Sequence, residues 1–364
     1  MKNPKYVITV DLDLPPLKSG LEPYYAFGQF PSARNFREDI AISTRRLWTL
    51  LKWARHCEVM VLDSVSGRFH PDLLACVFIR FFSKRPVIVM ADDMWNKGGM
   101  LKYIFQKTII RAADPAIHRY AVHSLGEGKI FARLWGISPE KVRTCIYNFT
   151  FTDDEINAGE ITSNGYIFAG GSPLRNYDLL LESARQLPHR QFVIATRVLK
   201  GRKDIPENVR VVQVSHTEFI RLMRESDMVV TPLASGGTRS GGQQTYLNAM
   251  RMGKISMVNG NDVLGVTDYI QDRVNGIITD GTPQGFVEAI EWVYDPSNLN
   301  AVNKIKQNAQ ETVKEFSYER YLCTMTAIIE EAVAEANARE SSTCPVVSAF
   351  PWLSPVDPEK TWTR

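Results

Sequence analysis

The sequence predicts an α/β protein of two Rossmann-like, doubly wound domains in series. Three observations carry that expectation. Short, continuous apolar runs recur along the 364 residues, each tending to be followed by a stretch with helical spacing; this is the pattern of parallel strands buried on both faces and crossed over by helices. Glycines gather where a run gives way to such a stretch, at 170–171 and 236–242. A polar segment with no clear period, "FTFTDDEINAGEITSN" (149–164), interrupts the alternation and reads as a linker.

In the first half, "YVITV" (6–10), "EVMVLD" (58–63) and "RPVIVMADD" (85–93) read as buried strands. Between them, "AISTRRLWTLLKWARH" (41–56) sets Leu47, Leu50, Leu51 and Ala54 on one side of a helix. "HPDLLACVFIRFFSK" (70–84) carries a proline near its start, where the missing amide hydrogen matters least. "KYIFQKTIIRAAD", "HRYAVHS" and "EGKIFARLWG", closing on Gly136, continue the alternation, and "SPEKVRTCIYN" turns into an exit strand. The second half repeats the plan. Its strands are "GYIFAGG", "QFVIAT", "VRVVQV", "DMVVTPLA", "KISMVNG" and "IITD"; its helices include "NYDLLLESARQL", "HTEFIRLMRES" and "QQTYLNAMRMG". "TPQGFVEAIEWVYD" opens a helical region that runs to about residue 338. The expected boundaries are therefore 1–150, 151–338 and a tail, 339–364. The tail's four prolines argue against a regular helix and leave two options, a disordered end or a strap packed back on a domain through Trp352 and Trp362.

Composition narrows the class. With 44% hydrophobic and 23% charged residues, the chain has the makings of an ordinary globular protein with two cores. The start shows no signal-peptide pattern and the apolar runs fall short of a spanning helix, so the expected location is cytoplasmic. Five cysteines without CxxC spacing read as free thiols rather than as a metal cluster or disulfide framework. Residues 1–150 hold 22 Lys and Arg against 13 Asp and Glu, a net +9, and the remainder 21 against 27, a net −6. Such a split suits an anionic partner for the first half, or a solvated face opposite an acidic sister domain.

Two glycine-bearing corners carry the chemistry. "SGGTRSGGQQTYLNAM" (235–250) lies between a strand and a helix, so Gly236, Gly237, Gly241 and Gly242 let the backbone approach a ligand while the helix start offers amide hydrogens to an anion. Arg239 adds a forked, charge-assisted donor, and Thr238 and Ser240 add hydroxyls. The segment is neither a GxGxxG fingerprint nor a P-loop. A second corner, "YIFAGGSPLRNYDLLLESA", ends a strand on Gly170 and Gly171 and places Ser172 and Arg175 ahead of a helix. Together they fit a diphosphate; the bland alternatives are a flexible surface corner and a solvated arginine.

At this point the chain resembles a glycosyltransferase of the GT-B class, nearest to glycosyltransferase family 4, most strongly over residues 84–321. "GISPEKVRTCIYNFTFT" is similar to that family's passage into its second domain, with Asn148 on the family's asparagine. "FAGGSPLRNYDLLLESA" resembles its donor-phosphate corner, and "SDMVVTPLASGG" with "YLNAMRMGKISMVNG" resembles the segment before and within its donor-binding helix. "VNGIITDGTPQGFVEAIEWVYD" and "NAQETVKEFSYERY" resemble its closing helices. The resemblance implies two domains facing a cleft, an acceptor domain at 1–150 and a nucleotide-sugar domain at 151–338. It also implies no prosthetic group, but a nucleotide-sugar donor that is UDP- or GDP-linked.

The chain departs from that pattern where chemistry is concerned. Ser240 and Asn248 stand at the two glutamates of the family's E-x7-E element, so neither carboxylate exists; serine and asparagine still hydrogen-bond hydroxyls, without the charge. Gly171 stands where the family often has arginine, and Arg175 in its lysine position. In the first half, Asp92 occupies the strand end where many members carry a catalytic-cleft histidine, and reads as a general base ahead of Asp93. A capping or structural aspartate pair is the plain alternative. Asp11 and Asp13 form a D-x-D that is too sparse for a metal site and, with Asp93 and His123, is assigned to the acceptor side.

The sequence thus points to transfer of a sugar from a nucleoside diphosphate to an acceptor hydroxyl, with Asp92, Arg175 and Arg239 as the catalytic group and surface polysaccharide or glycolipid assembly as the setting. Basic and aromatic residues in 21–36, 45–56 and 76–85 suit peripheral contact with an anionic membrane that presents a lipid-linked acceptor, or ordinary helix packing. No base-reading motif supports nucleic acid. The competing class is a catalytically lapsed nucleotide- or carbohydrate-binding protein, favoured by the two missing glutamates.

Overall fold

A computed structural model describes residues 4–31, 33–64, 66–67, 69–91, 95–260 and 262–340. The chain divides into two units, Met1–Ile146 with Tyr321–Arg364, and Tyr147–Arg320.

The first unit is built on a six-stranded parallel sheet: β1 (Tyr6–Ile8), β2 (Pro23–Tyr25), β3 (Val59–Asp63), β4 (Val87–Ala91), β5 (Arg119–Val122) and β6 (Val142–Thr144), in the order β2-β1-β3-β4-β5-β6. β2 lies inside the loop expected at 21–36; as an edge strand it tolerates Pro23, which has no amide hydrogen to give to a ladder. β1, β3, β4 and β5 are almost wholly buried because helices cover the sheet. These are α1 (Phe36–Ala54), α2 (Pro71–Ile79), α3 (Met100–Ala113) and α4 (Leu125–Trp135). Asn35 caps α1 and Ser124 caps α4, each accepting from the amide three residues on, and Gly136 ends α4 in the left-handed conformation.

The second unit opens with α5 (Asp153–Asn157) and carries strands β7 (Tyr166–Gly170), β8 (Gln191–Ala195), β9 (Val209–Val212), β10 (Met228–Thr231), β11 (Ile255–Asn259) and β12 (Ile277–Thr279). Helices α6 (Tyr177–Gln186), α7 (His216–Arg224), α8 (Gln243–Arg251), α9 (Pro283–Tyr294) and α10 (Leu299–Val313) complete it. All strands pair in parallel in the order β12-β11-β10-β7-β8-β9. Counted within the unit this is the Rossmann order, reversing between β7 and β10.

Two segments differ from their sequence-based expectation. The expected linker holds α5, where Thr152 and Glu155 form a capping box, and it buries Phe151 and Ile156 in the second core. Its polarity is that of a helix start, not of a free connector. The closing helix α11 (Tyr318–Glu340) leaves the second unit at Tyr321 and joins the first, whereas the expected boundary ran unbroken to 338. Met325, Ile328, Ile329 and Ala332 are buried on it. Glu331 accepts from Arg119 of β5 at 3.2 Å and from Arg143 of β6 at 2.6 Å, and Glu335 also pairs with Arg119. Two buried arginines of one sheet are thereby neutralised by a helix 188 to 216 residues further along the chain.

Candidate functional site

In an open α/β sheet, ligands bind beyond the carboxyl ends of the strands where the strand order reverses. In the second unit that point lies between β7 and β10, and both glycine-bearing corners fall there: 170–176 follows β7 and 232–242 follows β10.

Arg175 joins them. It bridges to Leu233 in an antiparallel pair, and Ala234 donates to the Leu174 carbonyl at 3.0 Å. Its guanidinium donates to the Gly170 carbonyl at 3.1 Å, the Pro173 carbonyl at 3.0 Å and Thr245 Oγ1, in the first turn of α8, at 2.9 Å. All three acceptors are neutral, and among the described residues no carboxylate pairs with it. Burial pushes the arginine below its ordinary pKa, and burial also raises the nearby Tyr177 and Tyr246 phenols, so they stay neutral beside it and give it no counter-charge. An arginine held by dipoles alone keeps its charge available to an anion.

The second corner brings α8 to the same place. Gly242 caps α8 with φ +87° and no side-chain hydrogen bond. A Cβ there would come within 2.8 Å of Leu233, 3.1 Å of Thr231 and 3.4 Å of Arg175 Nη1, so glycine is required both by the conformation and by the approach. Gly171, at φ +96°, sits against the Arg175 guanidinium, and its carbonyl accepts from Tyr177 at 2.6 Å and Thr196 at 2.8 Å. Gly236 donates to the Asp262 carbonyl at 2.9 Å, and Asn259 anchors Leu233 in both directions at 2.6 and 2.9 Å. Thr238 and Arg239 are half-buried, Ser240 is buried, and each of the three has an interaction partner. Gly237 and Gly241 lie on the same loop, and Ser172 is exposed at the first corner.

Asn248 is placed otherwise. It is fully buried on α8, where its Oδ1 accepts from the amides of Thr150 and Phe151 at 3.1 and 2.9 Å and its Nδ2 donates to Thr150 Oγ1 at 3.0 Å. Its amide secures the entry segment of the unit. Thr245, Asn259 and Thr196 are the residues that sequence reasoning missed. The available signal was position alone: a threonine three residues beyond the capping glycine, and polar residues closing or following strand ends.

In the first unit, Asp92 and Asp93 lie outside the described residues. Asp11 and Asp13 are exposed, alternating with buried Leu12 and Leu14. His123 is buried just after β5, its Nδ1 3.3 Å from the Cys145 carbonyl and its ring 6.1 Å from that of Tyr321. The order of this sheet reverses between β1 and β3, and there the structure holds a network unforeseen from the sequence. Asp72, fully buried, accepts from Thr9 Oγ1 at 2.6 Å and from Arg46 Nε and Nη2 at 2.5 and 2.8 Å. Arg46 therefore belongs to an internal ion pair, although its position in "RRLW" read as part of a basic surface.

No protein-family model and no curated protein sequence matches the chain. Solved structures do. It is similar to sucrose-phosphate synthase from Thermosynechococcus elongatus, with 13% identity, TM-score 0.63, and coverage of 91% of this chain and 88% of the other. It is similar to HepE from Anabaena in complex with UDP-glucose, with 14% identity, TM-score 0.61, and coverage of 92% and 99%. A glycosyltransferase from Rickettsia africae aligns at 13% identity and TM-score 0.56, with 83% of each chain covered. With two six-stranded parallel sheets, each wound with helices, and these long-range alignments, the chain carries the GT-B fold.

Proposed function

We propose that the protein is a glycosyltransferase that takes its donor, a nucleoside-diphosphate sugar, at the β7/β10 switch point. The observation that carries this reading is Arg175, a cation held by three neutral oxygens beside the start of α8, whose glycine cap brings no side-chain acceptor. A diphosphate supplies the missing anion: Arg175, Arg239 and the helix amides take up the charge that develops on the leaving group as the glycosidic bond breaks. Thr245 orients the guanidinium and Gly242 allows its approach. Of the fold's solved examples, HepE holds UDP and UDP-glucose, so a uridine donor is the first to try, with GDP-linked sugars second.

The acceptor is assigned to the first unit, with Asp92 as the base that takes the hydroxyl proton and Asp11, Asp13, Asp93 and His123 as acceptor-side residues. A glycan or lipid-linked sugar presented at a membrane surface is the acceptor class, consistent with the basic first half. A second reading, a lapsed nucleotide-binding protein, draws on Ser240 and on the commitment of Asn248 to the backbone of 150–151.

Calorimetric titration with UDP, GDP and their sugars, followed by donor hydrolysis and transfer assays, separates the two. Nucleotide binding with turnover supports the transferase, and Asp92→Asn then lowers the chemical step while sparing donor affinity. Binding without hydrolysis or transfer to glycan and lipid-linked acceptors favours the lapsed protein. No binding of any nucleotide overturns both.

A further inference from the structure

α3 turns the wrong face outward for a protein surrounded only by water. Ile110 and Ala113 pack inward, but Leu101 is 85% exposed, Met100 67%, Phe105 66% and Ile104 53%. Leu101, Ile104, Phe105 and Thr108 recur at the spacing of one helix face. The Thr108 hydroxyl donates to the Ile104 carbonyl at 2.8 Å, so it is satisfied within the helix. The same character continues at the end of α2, where Phe81 is 76% exposed under the Arg80 guanidinium, 5.0 Å from its ring centroid. Arg80 also donates to the Ala112 carbonyl at 2.9 Å, which ties that end to α3.

Among the described residues of α3 and of the segment 73–91 the charged side chains are cationic, with Asp114 following at the end of the helix. Residues 73–91 and 95–113 contain seven Lys and Arg and no Asp or Glu. On α3 itself Lys102 and Arg111 flank the apolar stripe. Contiguous exposed apolar surface marks an interaction site, and the cations that flank it favour an anionic partner. A second copy is a poor occupant, because a twofold pairing of this face would set cations against cations. Nucleic acid would meet the cations but leave the leucine and phenylalanine against phosphate and water.

We infer that the outer face of α3 docks the protein on an anionic bilayer, with Leu101, Ile104 and Phe105 entering the headgroup and acyl boundary and Lys102 and Arg111 meeting lipid phosphates. This names the surface for the peripheral contact proposed above and rests on that reading. Within 45–56, by contrast, Arg46 and Trp53 are buried and Trp48 alone of the large apolar residues is exposed.

Sedimentation of the full chain with phosphatidylcholine vesicles, with and without phosphatidylglycerol, tests it. Binding is expected only with phosphatidylglycerol and weakens with salt. The Leu101→Ser/Phe105→Ser double variant and, separately, Lys102→Glu lower the bound-to-free ratio roughly tenfold or more. UDP affinity and the thermal melt of these variants stay at the parent values. Should the double variant fold poorly, Phe105→Trp provides a second readout, a blue-shifted emission on anionic vesicles. Undiminished binding by folded variants, or an unshifted Trp, overturns the α3 face alone. Absence of vesicle binding by the parent chain, or equal binding to neutral vesicles, overturns both the face and the anionic-membrane reading. A dimer seen by light scattering that the double variant dissolves assigns the face to a second copy and also overturns the inference. Failure to bind nucleotide, with vesicle binding intact, counts against the donor reading only.

Discussion

Arg175 and Asn248 show how residue type and residue role part company. Both stood out in the sequence as polar positions in a donor-like pattern, yet one guanidinium is cradled by neutral oxygens at a strand-order reversal and one amide is used up on the backbone of 150–151. Arg175→Ala is expected to weaken nucleotide binding by about 2 kcal/mol, roughly thirtyfold, the size of a charge-assisted hydrogen-bonded contact; titration calorimetry with UDP reads it. Asn248→Ala is expected to act on stability instead. It leaves the buried Phe151 amide and the partly buried Thr150 amide without their acceptor and should cost about 1–3 kcal/mol, measured as a shift of the urea midpoint. If Asn248→Ala left stability unchanged and abolished nucleotide affinity, its proposed structural role would fail.

At the scale of elements, the corners were legible because glycine at a strand-to-helix junction has few other uses. Which glycines are indispensable was not legible. Gly242 holds a left-handed cap with Leu233, Thr231 and Arg175 all close to where a side chain would sit. Gly242→Ala is expected to destabilise the fold by about 1–3 kcal/mol and to displace Arg175, lowering nucleotide affinity as well; paired urea and calorimetric measurements separate the effects. The expected linker failed for a related reason. "FTFTDDEIN" is polar, but Thr152 and Glu155 use that polarity to start a helix, and the flanking Phe151 and Ile156 supply core. Composition records polarity and not whether it faces water.

The whole molecule is organised by contacts between residues far apart in the chain. α11 returns to the first unit because Arg119 and Arg143 of its sheet are buried and need a carboxylate, which Glu331 supplies. Burial alone would push the Glu331 carboxyl up, but the hydrogen bond from Arg143 and the charges of Arg119 and Arg143 outweigh it and hold the group below its ordinary value. The unfolded chain therefore takes up this proton first as the pH falls. The stabilising contribution is fully present above the ordinary carboxylate value of 4.5 and is lost as the pH drops through the lower folded value. Glu331→Gln is expected to cost about 3 kcal/mol at neutral pH and to flatten the acid limb of the stability profile, followed by urea titration from neutral to acid pH. A variant with an unaltered acid limb would remove Glu331 from that role.

The α/β class, the alternation of buried strands and helices, and the two glycine-bearing corners were legible in the residues alone, because they depend on local spacing and on the backbone freedom of glycine. Four features came only with folding: the reversal of strand order that brings Arg175 to α8, the burial of Arg46 against Asp72, the return of α11, and the outward apolar face of α3. One cause underlies all four. Pairing, burial and exposure are relations between residues distant in sequence, and a periodic pattern says which face of a helix is apolar without saying whether anything covers it.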